Sequence, residues 1–195
     1  MTSIFVGNTF KSLPVEFSKY GLSPSRLRQL HHELVLRPEQ SQSIAVVTLS
    51  LALPDDGKYR QFKELIRAFE KSLRDELRWS GDKRLEHNKR FYQSNVRFLW
   101  AYDVDGERRP KTRTWRLAIA IHGHELREAA TAVTEFKLFA KMAWCRALGF
   151  SKFKPGSLVK LGRKPVVTLD KTSNDYFTEL EHVFRRLSLL AQLPA

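Results

Sequence analysis

A single cysteine, Cys145, stands in the 195 residues, which excludes an intrachain disulfide and a cysteine-based zinc site and removes any reason to invoke an oxidising compartment. The cytoplasm is the expected location. Long apolar runs are missing too: the longest, Ile44 to Leu53 with Thr48 and Ser50 inside it, has ten residues against the roughly 20 needed to cross a bilayer. A membrane is therefore not an expected partner. Met1-Thr2-Ser3-Ile4 has no basic segment leading into an apolar one, so no secretory leader is expected. Glycine (9) and proline (8) are near average, which excludes low complexity, while 13 Phe, 4 Trp and 5 Tyr supply bulk for a core. Also missing are a Gly-x-Ser-x-Gly elbow, a paired catalytic carboxylate and a dinucleotide fingerprint. Gly162-Arg163-Lys164 lacks the rest of a phosphate loop and reads as a basic turn.

Acid is scarce in one third of the chain. Residues 108–169 carry fourteen basic and three acidic side chains, a net +11 of the overall +13, and no acid lies between Glu135 and Asp170. One block is Arg108, Arg109, Lys111, Arg113 and Arg116. A second contains Lys137, Lys141, Arg146, Lys152, Lys154, Lys160, Arg163 and Lys164. Charge of one sign repels itself in a compact state, so such a concentration points to a polyanion, with DNA first and RNA as the alternative. A solvated basic surface is the bland reading. Membrane headgroups compete less well because no amphipathic anchor accompanies the charge.

The 42% of hydrophobic residues suffices for one domain, taken as residues 41–195, preceded by an N-terminal arm over 1–40. In the arm, Ser23-Pro24-Ser25 followed by Leu27, Leu30 and Leu34 signals a capped short helix. Ile44 to Leu51 reads as a strand ended by Pro54-Asp55-Asp56-Gly57. From Lys58 to Trp79, Phe62, Leu65, Ile66, Phe69, Leu73 and Leu77 fall at helical spacing. Val96 to Tyr102 and Thr114 to Ile121 read as a hairpin with a cationic tip. Glu125 to Leu148, closed by Gly149, predicts a second long helix. One or two strands flank residues 162–165, and Ser173-Asn174-Asp175 caps a helix running to about Leu193. The order after the arm is β-α-β-β-α-β plus one helix. This is the split βαβ (ferredoxin/RRM-like) arrangement of an α+β protein, an antiparallel sheet with helices on one face and the other left free for a ligand.

Four stretches carry a resemblance: Phe98-Leu99-Trp100-Ala101, Leu117-Ala118-Ile119-Ala120-Ile121, Ala143-Trp144-Cys145-Arg146-Ala147-Leu148-Gly149, and the run from Val183 to Gln192. From about Ser43 to Gln192 the chain resembles the YagK/YfjJ C-terminal family, replication initiators of the inovirus type with an HUH endonuclease character. The resemblance implies rolling-circle DNA chemistry: two histidines on one strand and a third ligand hold a divalent metal, and a tyrosine attacks phosphorus.

This sequence departs from that pattern at both motifs. Where the family reads His-Tyr-His the chain has Thr114-Trp115-Arg116, and where it reads Ser-Tyr-Leu-Ala-Lys the chain has Ser188-Leu189-Leu190-Ala191-Gln192. A helical projection puts Leu189 on the polar side with His182, Arg185 and Arg186. The expectation is a DNA-binding protein without catalytic residues and without a cofactor, its phosphate contacts drawn from Arg108, Arg109, Lys111, Arg113, Arg116, Lys152, Lys154, Lys160, Arg163 and Lys164. Trp115 or Trp100 would stack on bases. One alternative is an active nickase in which His122 and His124, with Asp103 as a residual ligand, hold a divalent metal beside an unidentified tyrosine; Tyr176 and Tyr92 are available phenols, neither in a recognisable motif. Others are a single-stranded RNA module and a protein adaptor docking through Leu189. His31, His32 and His87 read as surface histidines.

Overall fold

The computed structural model describes residues 4–18, 21–36, 43–53, 62–85, 95–102, 114–122, 129–150 and 158–192. A small ribbon of β1 (Thr9–Phe10) and β2 (Leu13–Pro14) precedes α1 (Pro24–His31), which continues as a π-helical turn, His32–Leu36. The Ser23 hydroxyl accepts from the Arg26 amide at 3.5 Å and Pro24 fills the first turn, as the sequence predicts.

The sheet contains β3 (Ser43–Ala52), β4 (Asn95–Tyr102), β5 (Thr114–His122) and β6 (Val159–Asp170). Its order is β4-β5-β3-β6 and every pairing is antiparallel. With α2 (Phe62–Leu85) between β3 and β4 and α3 (Ala129–Ala147) between β5 and β6, this is the expected split βαβ topology. β3, rich in β-branched residues, takes the centre, and alternation sends Ala45, Val47, Leu49 and Leu51 to one face.

That face meets α2 and α3 in the first core. Leu65, Phe69 and Leu73 of α2 and Phe136, Ala140, Ala143 and Trp144 of α3 pack on Trp115, Leu117 and Ile119 of β5. Trp144 is fully buried, edge-on to Phe69 and Trp115, and its indole N–H donates to the Ala52 carbonyl at 2.9 Å. Beyond the core, Arg146 of α3 pairs with the buried carboxylate of Glu76 on α2. α3 ends in a Schellman closure: the Phe150 amide reaches the Cys145 carbonyl, the Gly149 amide reaches Arg146, each at 3.0 Å, and Gly149 takes φ +74°.

The layering departs from expectation on the other face. It is not free, because α1 and α4 (Tyr176–Ser188) cover half of it. Leu27, Leu30 and Leu34 join Leu180, Val183, Phe184 and Leu187 over Ile44, Val46, Ala118, Ala120 and Leu169, forming a second core. The stretch expected as an arm contributes, in its described part, to this layer. His31 lies within it, buried and edge-on to Phe184 with ring centroids 6.3 Å apart, so its reading as a surface histidine is corrected.

Candidate nucleic-acid interface

The second core stops halfway down the sheet. Where it stops, the outward residues change from Ile44 and Val46 to Thr48 and Ser50 on β3, both half-buried. Register sets Ser50 between Arg116 of β5 and Lys160 of β6, both exposed. The three form a row across adjacent strands, about 10 Å from end to end by two interstrand spacings. One side of this open half-face is walled by α4, so the surface is a shelf with a sheet floor and a helical wall.

β6 is distorted opposite Thr48. Val47 pairs with Val166 while Leu49 pairs with Leu161, which leaves residues 162–165 facing a single β3 position. The basic turn read from the sequence is thus a bulge within one continuous edge strand, where a proline such as Pro165 is tolerated. The bulge is fastened to the wall. Arg186 of α4 donates through Nη2 to the Thr48 hydroxyl at 2.8 Å and through Nη1 to the Lys164 carbonyl at 3.2 Å. Gly162 makes room, since a Cβ there would sit 3.2 Å from Arg186 Nη2 and 3.4 Å from Thr48 Oγ1.

Of the expected phosphate contacts, Arg116, Lys160 and Lys164 come together at this shelf and are exposed. Arg163 belongs to the same bulge. Arg108, Arg109, Lys111, Arg113, Lys152 and Lys154 lie outside the described residues. Arg186 was missed because a helical projection assigns it to solvent, whereas its long side chain reaches back to the sheet. Trp115 is corrected as a stacking candidate: it faces the first core and is 3% exposed. Trp100 pairs with Leu117 and so shares the register of that same face.

The positions named by the resemblance converge on one side of the sheet. Thr114 and Arg116 sit at second-face register positions of β5, and the 3-10 turn Leu189–Ala191 lies against β4, the next strand. The projection of Leu189 onto the polar side of a helix is corrected, because α4 ends at Ser188 and Leu189 is half-buried in the turn. The buried Ser188 hydroxyl donates to the Arg185 carbonyl at 2.6 Å and accepts from the Glu16 amide at 2.8 Å. Nearby, Arg185 pairs with Glu16 at 3.1 Å, and the Ser23 amide donates to the Ala191 carbonyl at 2.7 Å.

A divalent metal does not fit here. Guanidinium and ammonium groups offer no lone pair to a cation and repel it, and threonine alone is a poor ligand. Among the described residues no three His, Cys, Asp or Glu side chains gather to hold an ion. His122 ends β5 opposite Asn95 and Ile44, about 20 Å along the strand from Arg116; His124, Asp103 and Tyr92 lie outside the described residues. Tyr176 is half-buried in the second layer, and burial pushes its phenol above the ordinary value, away from the phenolate a nucleophile needs.

A split βαβ antiparallel sheet with helices packed on both faces defines an α+β domain. Residues 5–195 match the YagK/YfjJ C-terminal domain, and the chain belongs to that family. The match begins well upstream of Ser43, in keeping with the packing of α1 into the second layer. No curated protein and no solved structure matches the chain significantly. Among the described residues no helix is long and apolar enough to cross a membrane.

Proposed function

We propose that this protein binds DNA through the cationic shelf and its basic flanks and does not cut it, having descended from rolling-circle initiators whose metal ligands and tyrosine it has lost. The observation that carries the reading is the row Arg116, Ser50, Lys160, with Lys164 and Arg186 beside it, on the half of the sheet that the helices leave open. Phosphate oxygens are the natural partners of such a row. The residues at positions 114, 116 and 189 argue against cleavage, since none is a metal ligand or phenol of the required kind.

An RNA-recognition mode is less well supported. Modules of that type stack bases on aromatics projecting from the open sheet face, and here Trp115 is committed to the opposite core. The test combines binding with cleavage. A gel shift against single- and double-stranded DNA, with and without Mg²⁺ or Mn²⁺, is expected to show retardation that weakens steeply with salt. Supercoiled plasmid is expected to stay supercoiled in either metal. Relaxed plasmid that disappears on replacing His122 and His124 overturns the non-cutting reading, and no retardation at low salt overturns DNA binding.

A further inference from the structure

We infer that the shelf grips DNA through its phosphodiester backbone without stacking on the bases, with Arg186 as a guanidinium preset for a phosphate. This rests on the DNA-binding reading above and adds which part of the polymer is recognised. Two features carry it, one present and one missing.

The missing feature is a stacking platform. On the second face of the sheet the register places Ile44, Val46, Thr48 and Ser50 of β3, Thr114, Arg116, Ala118 and Ala120 of β5, Lys160, Val167 and Leu169 of β6, and Arg97, Leu99 and Ala101 of β4. None is aromatic. In β4 the aromatic residues Phe98, Trp100 and Tyr102 pair with Ile119, Leu117 and Trp115, in register with the first-core face. Sequence-tolerant stacking needs aromatic side chains, and none stands at these described second-face positions. Small hydroxyls between cations suit phosphate oxygens instead.

The feature present is a fixed guanidinium. A free arginine loses rotamer freedom when it captures an anion, which weakens the capture. Arg186 has already surrendered that freedom to Thr48 and Lys164. Its planar fork has further N–H donors beyond the two so used, and the side chain is exposed at the shelf wall. A phosphate that meets Arg186 is then held by a preorganised donor.

The experiment is fluorescence anisotropy at low and moderate salt with labelled oligonucleotides of about 20 residues: all-thymine, all-adenine and mixed sequence, and inorganic polyphosphate as unlabelled competitor. Affinities within about fivefold of one another and complete displacement by polyphosphate are expected. Arg186→Gln is expected to lower the log–log salt slope by about one, as loss of a phosphate contact does, and Arg186→Lys to keep the slope while weakening binding. A preference above about fivefold for one sequence, failure of polyphosphate to displace, or an unchanged slope in R186Q overturns the inference while DNA binding stands. Should R186Q not fold by circular dichroism, the base-preference and polyphosphate results decide alone. If no oligonucleotide binds at low salt, the DNA reading falls with it.

Discussion

The guanidinium of Arg186, on the C-terminal helix, holds the hydroxyl of Thr48, on the central strand, at 2.8 Å, and this bond joins the second layer to the floor of the shelf. Gly162 stands against both partners. A methyl group at Gly162 would press on Arg186 Nη2 at 3.2 Å, a contact the flexible arginine can relieve only by loosening its bonds. Gly162→Ala is expected to cost under about 1 kcal/mol, and Arg186→Ala about 1 kcal/mol. Because both act on the same bond, the double variant is expected to cost less than their sum in a urea-denaturation cycle. Simple additivity would show that the bulge and Arg186 are energetically independent.

Ser188 supplies a second tie, between the N-terminal segment and α4. Its hydroxyl is fully buried and makes one bond as donor and one as acceptor. Ser188→Ala leaves the Glu16 amide without that acceptor, at an expected cost of about 1–2 kcal/mol. Limited proteolysis is expected to cleave residues 1–22 sooner in this variant, while an unchanged denaturation midpoint would refute the tie.

The sheet and the first core were legible because their signals are local. Alternation in Ile44 to Leu51, helical spacing from Phe62 to Leu77 and the Gly149 stop each specify their element without knowledge of the rest, and their order specifies the topology. The second layer was not legible. Nothing local in Leu27, Leu30 or Leu34 says which sheet face α1 will reach, and α4 follows an edge strand from which it could fold to either side. The residues 162–165 look like a turn because Gly and Pro break strands, and only pairing with β3 makes them a bulge. Arg116, Lys160 and Lys164 were visible as charge, but their meeting beside Ser50 is a consequence of register across three strands.

His31 gives the second layer a pH dependence. Burial lowers its pKa below the ordinary 6.5, and the positive charges of Lys11 and His32 lower it further. The unfolded chain therefore binds this proton more readily than the folded one, so stability is complete above pH 6.5 and is lost as pH falls from there toward the depressed native value. Urea midpoints across this range are expected to fall more steeply for the natural protein than for His31→Leu. Parallel curves for the two proteins would assign the dependence to other groups.

A protein of net +13 attracts DNA by charge at large, so local contact has to be separated from the general field. Lys160→Glu and Lys137→Glu change net charge equally, but Lys160 lies on the shelf row while Lys137 is exposed on α3, across the sheet. A helix with its side chains is about 10–12 Å across, so the outer side of α3 stands at least one screening length, about 10 Å at 0.1 M salt, from the shelf. At that ionic strength the α3 substitution is expected to weaken DNA binding less than about twofold and the β6 substitution about tenfold or more. Equal losses would mean that the whole surface binds and that the shelf has no privileged part in it.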